Sequence, residues 1–418
     1  MARKRLKRTG EPLYPEHPAS EHQWRVQRAR RIMQDDNLDV LLLGRNVNVF
    51  YMSGSRFVFV GMDAPVALAP QSTAIITQDA DIYSQRFGPF DTDEVALHTV
   101  SSEQLELYDD EMEIVNILKD YGVKRGARIG TEWGNGLCVG INPLKFMKLQ
   151  QRLCDELGAE IVDASPTIWK MTGVKSDLEI ERMKVAVNAA ARAMERVYDL
   201  IEIGMTELQV SKLASQFMLE EGADAISHAQ VMSEGKANIS LMSCNAVDRP
   251  IESGWVHLDI GAKYRRYGSD INRGIFLGRA PTAEERKMYE IRKTCSQVLD
   301  RTIKPGVSVD DVLDTLQAYL ATQGCHLKEV GGAIMAGHCL GLEPYQHPNL
   351  MPAFTQPEFR NKEGKFLLEH GMLFTYEMAI DMPGYTSTAF FNIEDDVVVT
   401  PDGVENMNAN LSREMRVK

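Results

Sequence analysis

Two stretches of this chain place acids inside sequence that otherwise reads as buried strand, and they restrict the possible folds more than any other feature. In WVHLDIGAKYRRYGSDINRG (255–274), Asp259 and Asp270 each sit in an apolar run, with His257 two residues before the first. In GMLFTYEMAIDMPGYTSTAFFNIEDDVVVT (371–400), Glu377 and Glu394 do the same on either side of the turn formers Pro383 and Gly384. A buried carboxylate is costly to desolvate unless something positive meets it. Read as a hairpin turning near Lys263 to Arg266, the first stretch sets Asp259 opposite Asp270, where facing Cβ atoms lie about 4.5–5.5 Å apart. The second sets Glu377 facing Glu394. Each pair repels unless a cation lies between its members.

Between the two hairpins runs AGHCLGLEPYQHP, in which His338 follows Gly337 in a segment small enough for the backbone to approach a site closely. Four carboxylates and one imidazole then make a five-donor set: Asp259, Asp270, His338, Glu377 and Glu394. Hard oxygen donors with a single nitrogen suit Mn(II), Fe(II), Co(II) or Zn(II). Shared carboxylates suit two such ions about 3.5–4 Å apart, which activate a water and polarise a carbonyl. Period-2 alternation points His257 to the same strand face as Asp259, so it is a further candidate ligand or supporting donor.

The surrounding sequence divides in two. From residue 20 to 165, helical and strand patterns alternate as in an α/β domain: WRVQRARRIMQDDN reads as a helix, LDVLLLG as a buried strand, TAIITQ and ARIGTE as further strands. PTIWKMTGVKSDL (166–178) reads as the connection. A second domain, 176–418, begins with SDLEIERMKVAVNAAARAMERVYDLI, a helix with Ser176 as N-cap and Glu179 completing a capping box. Thr206 opens the next helix, which Gly222 stops. Strands at 255–262 and 267–277, helices at 282–302 and 308–323, and paired strands at 372–381 and 388–400 give an α+β domain.

Composition narrows the function. No apolar stretch approaches the roughly 20 residues of a membrane span, and the basic start MARKRLKRTGE leads into polar sequence, so neither a membrane partner nor a secretory leader is expected. The net charge of −13 disfavours nucleic acid, and the N-terminal Arg3, Lys4, Arg5, Lys7 and Arg8 read as a solvated arm. Six scattered cysteines with no close pair argue against a disulfide framework and for the cytoplasm.

Taken together, these motifs resemble the "pita-bread" metallohydrolases, which include methionine aminopeptidase, Xaa-Pro aminopeptidase, prolidase and the metal-free creatinase. LDVLLLGRNVNVFYMSGS (38–55) is similar to the N-terminal domain of the creatinase and prolidase branch, and GVKSDLEIERMKVA (173–186) to its entry helix. The resemblance implies an α+β pita-bread catalytic domain behind an α/β creatinase-like domain. It also implies two divalent transition-metal ions on the five donors, a small-molecule or short-peptide substrate, and a homodimer. In that branch Arg56 would reach a partner's site, and Arg265, in the hairpin turn, is a candidate for binding a substrate carboxylate.

Active peptidases of this family usually carry two further histidines that contact substrate. One follows the metal histidine by seven residues, where this chain has Tyr345, with His347 two residues later. The other lies upstream of the first aspartate, where VMSEGKANISLMSCN offers Ser240, Met242 and Ser243 but no histidine. Tyr345 and His347 are the candidate replacements, beside Glu377, for catalysis. The expectation is a metal-dependent hydrolase acting on a small amide or dipeptide-like substrate, with slow Xaa-Pro cleavage. The alternatives are a lyase on the same centre, like the family member that cleaves dimethylsulfoniopropionate, or a catalytically weakened binding homologue.

Overall fold

The computed structural model describes residues 4–7, 15–54, 72–86, 104–108, 110–134, 137, 140–234, 246–330, 333–351, 359–384 and 391–418. Contacts divide the chain into two units, residues 1–171 and 172–418.

The first unit contains β1 (Lys4–Lys7), α1 (Ala19–Asp35), β2 (Val40–Leu43), α2 (Asn46–Ser53), β3 (Ser72–Thr77), β4 (Asp81–Arg86), β5 (Gln104–Tyr108), α3 (Ile114–Asp120), β6 (Arg128–Thr131), α4 (Pro143–Leu157) and β7 (Glu160–Asp163). The strands form one mixed sheet in the order β1-β5-β4-β3-β2-β6-β7 among the described residues. Val40, Leu42, Ile75 and Ile129 of the sheet pack with Ile117, Leu149 and Leu153 of the helices. The buried Glu132 carboxylate follows β6 and accepts from the backbone N–H of Gly44 and Arg45 at 2.7 and 2.8 Å and from the Asn48 amide. It therefore satisfies N–H groups at the start of α2, which has no capping side chain of its own. Two expectations change here. The basic arm is not wholly free, because the backbone of Lys4–Lys7 pairs antiparallel with β5. The presumed connection holds a helix, α5 (Ser165–Gly173).

The second unit opens with α6 (Asp177–Leu200) and α7 (Glu207–Glu220), each begun by a reciprocal capping box, Ser176 with Glu179 and Thr206 with Gln209. A sheet follows from β8 (Ala225–Ser233), β9 (Gly254–Tyr264), β10 (Tyr267–Gly268) and β11 (Ile271–Leu277), then α8 (Ala283–Thr302) and α9 (Val309–Thr322). Short strands β12 (His326–Leu327), β13 (Glu329–Val330), β14 (Ala333–Ile334) and β15 (His338–Cys339) lead to β16 (Leu373–Thr375), β17 (Ile380–Asp381), β18 (Asp396–Thr400), β19 (Gly403–Asn406) and β20 (Arg416–Val417). One sheet runs β10-β9-β11-β20 with β8 on the other side of β9, and a second runs β15-β16-β18-β19.

Trp255 anchors a core of this unit, with ring centroids 5.1 Å from Phe276, 5.0 Å from Phe391 and 6.0 Å from Tyr289. Gly274 lies under the indole, so that a Cβ there would come within 2.1 Å of the ring.

The first hairpin turns at Arg265 and Arg266, both in the left-handed region (φ 49° and 73°), as a two-residue turn between paired Tyr264 and Tyr267 requires. Its register differs from the expected one: Asp259 faces Asn272, and Asp270 precedes β11, two positions away on the diagonal. The second acidic segment is also less regular than a continuous pair of strands. β16 and β18 pair only over Leu373–Thr375 and Asp396–Val398, and Glu377 and Glu394 lie just beyond the ladder at positions that continue its register.

Candidate metal centre

Each acid reaches the site through a different local device. Asp259 lies within β9. Asp270 sits at the bend into β11, where the Asp396 carboxylate accepts its backbone N–H at 2.9 Å. Glu394 bridges to Asn272 of β11: its N–H donates to the Asn272 carbonyl at 3.2 Å, and its carboxylate accepts from the Asn272 amide and, at 2.6 Å, from the Thr375 hydroxyl. In the run Glu394-Asp395-Asp396 only the first acid lines the cavity. Asp395 is held by Arg273 and Arg413, whose charges keep it below its ordinary range despite burial, and Asp396 orients Asp270. His338 lies on β15 beside Thr375 of β16.

Asp259, Asp270, Glu377 and Glu394 line one cavity of about 270 Å³ with Ser227, His228, Gln230, Pro344 and Tyr345. Asp259, Asp270 and Glu377 are buried to within 7–8% of full burial, and Glu394 to 1%. Burial first, then the neighbouring carboxylates, pushes Glu377 up to about 8 and Glu394 well above its ordinary value. Burial raises Asp259 too. Burial alone would also raise Asp270, but the positive charge of His228 overrides it and holds Asp270 down.

The donor chemistry fits resident cations. The fully buried His338 Nε2 has no hydrogen-bond partner and stands 3.6 Å from both Asp270 Oδ2 and Glu377 Oε2, too far for hydrogen bonds and suited to donors that share an ion. Two groups of potential ligand atoms cluster within 4.8 Å: His228, Asp259 and Asp270, and Asp270, His338 and Glu394. Asp270 belongs to both.

The remaining candidates divide. Tyr345 lines the cavity and stacks on His338 with ring centroids 4.1 Å apart. His347 is half-buried and does not line the cavity, and Arg265 is exposed at the hairpin turn, also away from it. Arg56, Ser240, Met242 and Ser243 lie outside the described residues. His257 does not reach the cavity either. It shares the face of Asp259 but sits one pleat deeper, buried, with both ring nitrogens lacking partners and burial and the Arg292 charge pushing it down to about 3. Two residues along a strand is nearly 7 Å, so alternation with Asp259 does not by itself carry His257 to the cavity.

His228 is the residue that the sequence reading missed. Its Nε2 is 3.0 Å from Asp259 Oδ1 and 3.2 Å from Asp270 Oδ1. Burial would lower its pKa, but the two aspartates outweigh it and raise it well above the ordinary value. A signal was available: in AISHAQVMS, His228 and Gln230 stand on one face if the segment is a strand, as a polar stripe beside apolar neighbours.

Comparison with known proteins places this geometry. Residues 181–401 match the model for metallopeptidase family M24, and residues 25–172 match the creatinase/prolidase N-terminal domain. The chain is 26% identical to the uncharacterized peptidase YqhT of Bacillus subtilis over 91% of its own length and 96% of that protein. It is 22% identical to the Xaa-Pro dipeptidase of Pyrococcus horikoshii over 92% and 96%. Among solved structures, an Xaa-Pro dipeptidase from Bacillus anthracis superposes with a TM-score of 0.75 at 24% identity, covering 95% of this chain and all of that one. Dipeptidase PepE from Mycobacterium ulcerans also gives 0.75, at 22% identity over 96% and 99%. No helix among the described residues is long and apolar enough to cross a membrane. The chain thus belongs to metallopeptidase family M24, in its creatinase and prolidase branch, and is a metal-dependent hydrolase.

Proposed function

We propose that the chain is a dinuclear hydrolase of small amides or dipeptide-like substrates, with Asp259, Asp270, His338, Glu377 and Glu394 holding two divalent ions from the Mn, Fe, Co and Zn group. The observation that carries this is the convergence of four buried carboxylates on one cavity, with the unpartnered His338 Nε2 3.6 Å from two of them, Asp270 and Glu377. When bound, such ions lower the pKa of a water and polarise a carbonyl. Thr375 and Asn272 fix the Glu394 carboxylate, and Asp396 fixes the backbone of Asp270, so the donors are held before a substrate enters. Glu377 holds and returns a proton at its carboxylate, while the Tyr345 hydroxyl donates to the substrate carbonyl from the cavity wall. A cavity of about 270 Å³ admits a dipeptide-sized molecule and not a folded protein.

Tyr345 standing where peptidases of this type carry an imidazole favours a substrate other than Xaa-Pro, and a lyase on the same donors is the second reading. We further propose a homodimer in the cytoplasm. The free thiols of Cys154, Cys295, Cys325 and Cys339 support the reducing setting, and light scattering at a single-chain mass would refute the dimer. Elemental analysis with a screen of dipeptides and small zwitterionic acids tests the main reading. Two ions per chain are expected in the wild type and fewer in Asp270→Ala; full occupancy in Asp270→Ala refutes the assignment. Hydrolysis of Gly-Pro at kcat/KM above roughly 10⁴ M⁻¹s⁻¹ would restore Xaa-Pro dipeptides as substrates.

A further inference from the structure

His228 reaches the carboxylates by two features of its strand. Between Ile226, which pairs with Ala262, and His228, which pairs with Gly261, the β8–β9 register slips and leaves Ser227 as an extra residue. Such a bulge re-aims the side chains after it. Opposite His228 stands Gly261, where a Cβ would lie 2.5 Å from the imidazole Cε1 and 2.8 Å from Nδ1. The missing side chain is therefore what lets the ring lean over β9 toward the cavity. There Nε2 meets the Oδ1 atoms of Asp259 and Asp270 at 3.0 and 3.2 Å. Those separations match the edges between neighbouring donors on one ion with bonds of about 2.0–2.2 Å.

We infer that His228 is a sixth protein donor, ligating through Nε2 the ion held by Asp259 and Asp270, so that each half of the centre has one imidazole. This rests on the dinuclear reading above. The two donor groups become alike: His228 with Asp259 and Asp270 on one side, His338 with Asp270 and Glu394 on the other. Imidazole suits zinc and iron, whereas purely oxygen surroundings suit manganese and magnesium. A nitrogen on both halves shifts the centre's preference toward Zn(II), Co(II) or Fe(II) and away from Mn(II).

The test uses full-length protein stripped with chelator and titrated with Zn(II), Co(II) or Mn(II) alone, against a competing chromophoric chelator. X-ray absorption of the Co(II)-loaded form counts imidazole ligands. His228→Ala and His228→Gln are run together, each checked by circular dichroism, so that a folded variant is available. The expected result is two ions in the wild type and two imidazoles per pair of ions. In the variants, one of the two Zn(II) affinities should fall at least about 10-fold and one imidazole should be lost, while Mn(II) binding changes less. Unchanged Zn(II) affinities and an unchanged imidazole count in a folded variant overturn the assignment of His228 and leave the dinuclear reading intact. A wild type that binds no ion overturns the dinuclear reading itself, and this one with it.

Discussion

Removing the ions should leave a protein that loses stability as the pH rises above neutral. Glu377 is buried, and its carboxyl is pushed up from 4.5 to about 8 by desolvation and by Asp270 and Asp259. A group whose folded pKa is raised contributes stability that is complete below its unfolded pKa and is lost as the pH climbs through the folded one. For Glu377 that window runs from 4.5 to about 8, and the whole displacement corresponds to about 5 kcal/mol at 1.36 kcal/mol per pH unit. Over its lower part other groups oppose it. His257, pushed down to about 3, and His338 and His347, lowered by burial, add stability as the pH rises toward their unfolded value of 6.5.

Above pH 7 those histidines are mostly neutral in both states, and the groups with raised pKa values dominate. The contribution of Glu377 then falls by about 1 kcal/mol between pH 7 and pH 8.5. For a unit the size of residues 172–418 this lowers Tm by about 3–5 °C, and Glu394 and His228, also raised, act in the same direction. Bound cations keep the carboxylates ionised, so the loaded protein should show no such slope. Scanning calorimetry of chelated and ion-loaded protein at pH 7.0, 7.5, 8.0 and 8.5 reads both curves. A chelated protein whose transition stays flat or rises across that range would show that the carboxylates are not crowded and protonated as the structure places them.

Three other outcomes follow from the packing. Gly274→Ala puts a methyl 2.1 Å from an indole confined by Phe276, Tyr289 and Phe391, so it should cost about 3 kcal/mol; urea denaturation indistinguishable from wild type would contradict that confinement. Glu132→Gln replaces an acceptor of three N–H groups by an amide that presents hydrogens to some of them, and should destabilise residues 1–171 by about 1–3 kcal/mol, while Zn(II) binding by residues 172–418 stays unchanged. Tyr345→Phe keeps the stack on His338 and removes the hydroxyl; turnover should fall about 100-fold at constant metal content, and equal turnover would make Tyr345 a packing residue only.

How much of this was legible in the sequence depended on what each residue's position required. Acids in apolar strands declared themselves, because Asp259, Asp270, Glu377 and Glu394 have no ordinary reason to be buried, and all four line the cavity. Capping pairs such as Ser176 with Glu179 were equally plain, since a cap is satisfied within three residues. The interior helix at Ser165–Gly173 was not, for it lacks a long apolar period and reads as a linker.

The alternation of a strand determines which face a side chain takes, and here it set Asp259 and His257 on one side of β9. It does not determine the partner strand, the register or the depth. Those were decided by tertiary packing: the bend that sets Asp259 against Asn272 and leaves Asp270 on the diagonal, and the pleat that buries His257 beside Arg292. The same packing determined which residue after His338 reaches the site, Tyr345 rather than His347. His228 shows the limit most clearly. It lies 31 residues before Asp259, and nothing in AISHAQVMS names β9 as its partner. Only the paired strands, with a bulge on one and a glycine on the other, bring its imidazole to the carboxylates, because hydrogen-bonded pairing is set by the packing of distant segments and not by local periodicity.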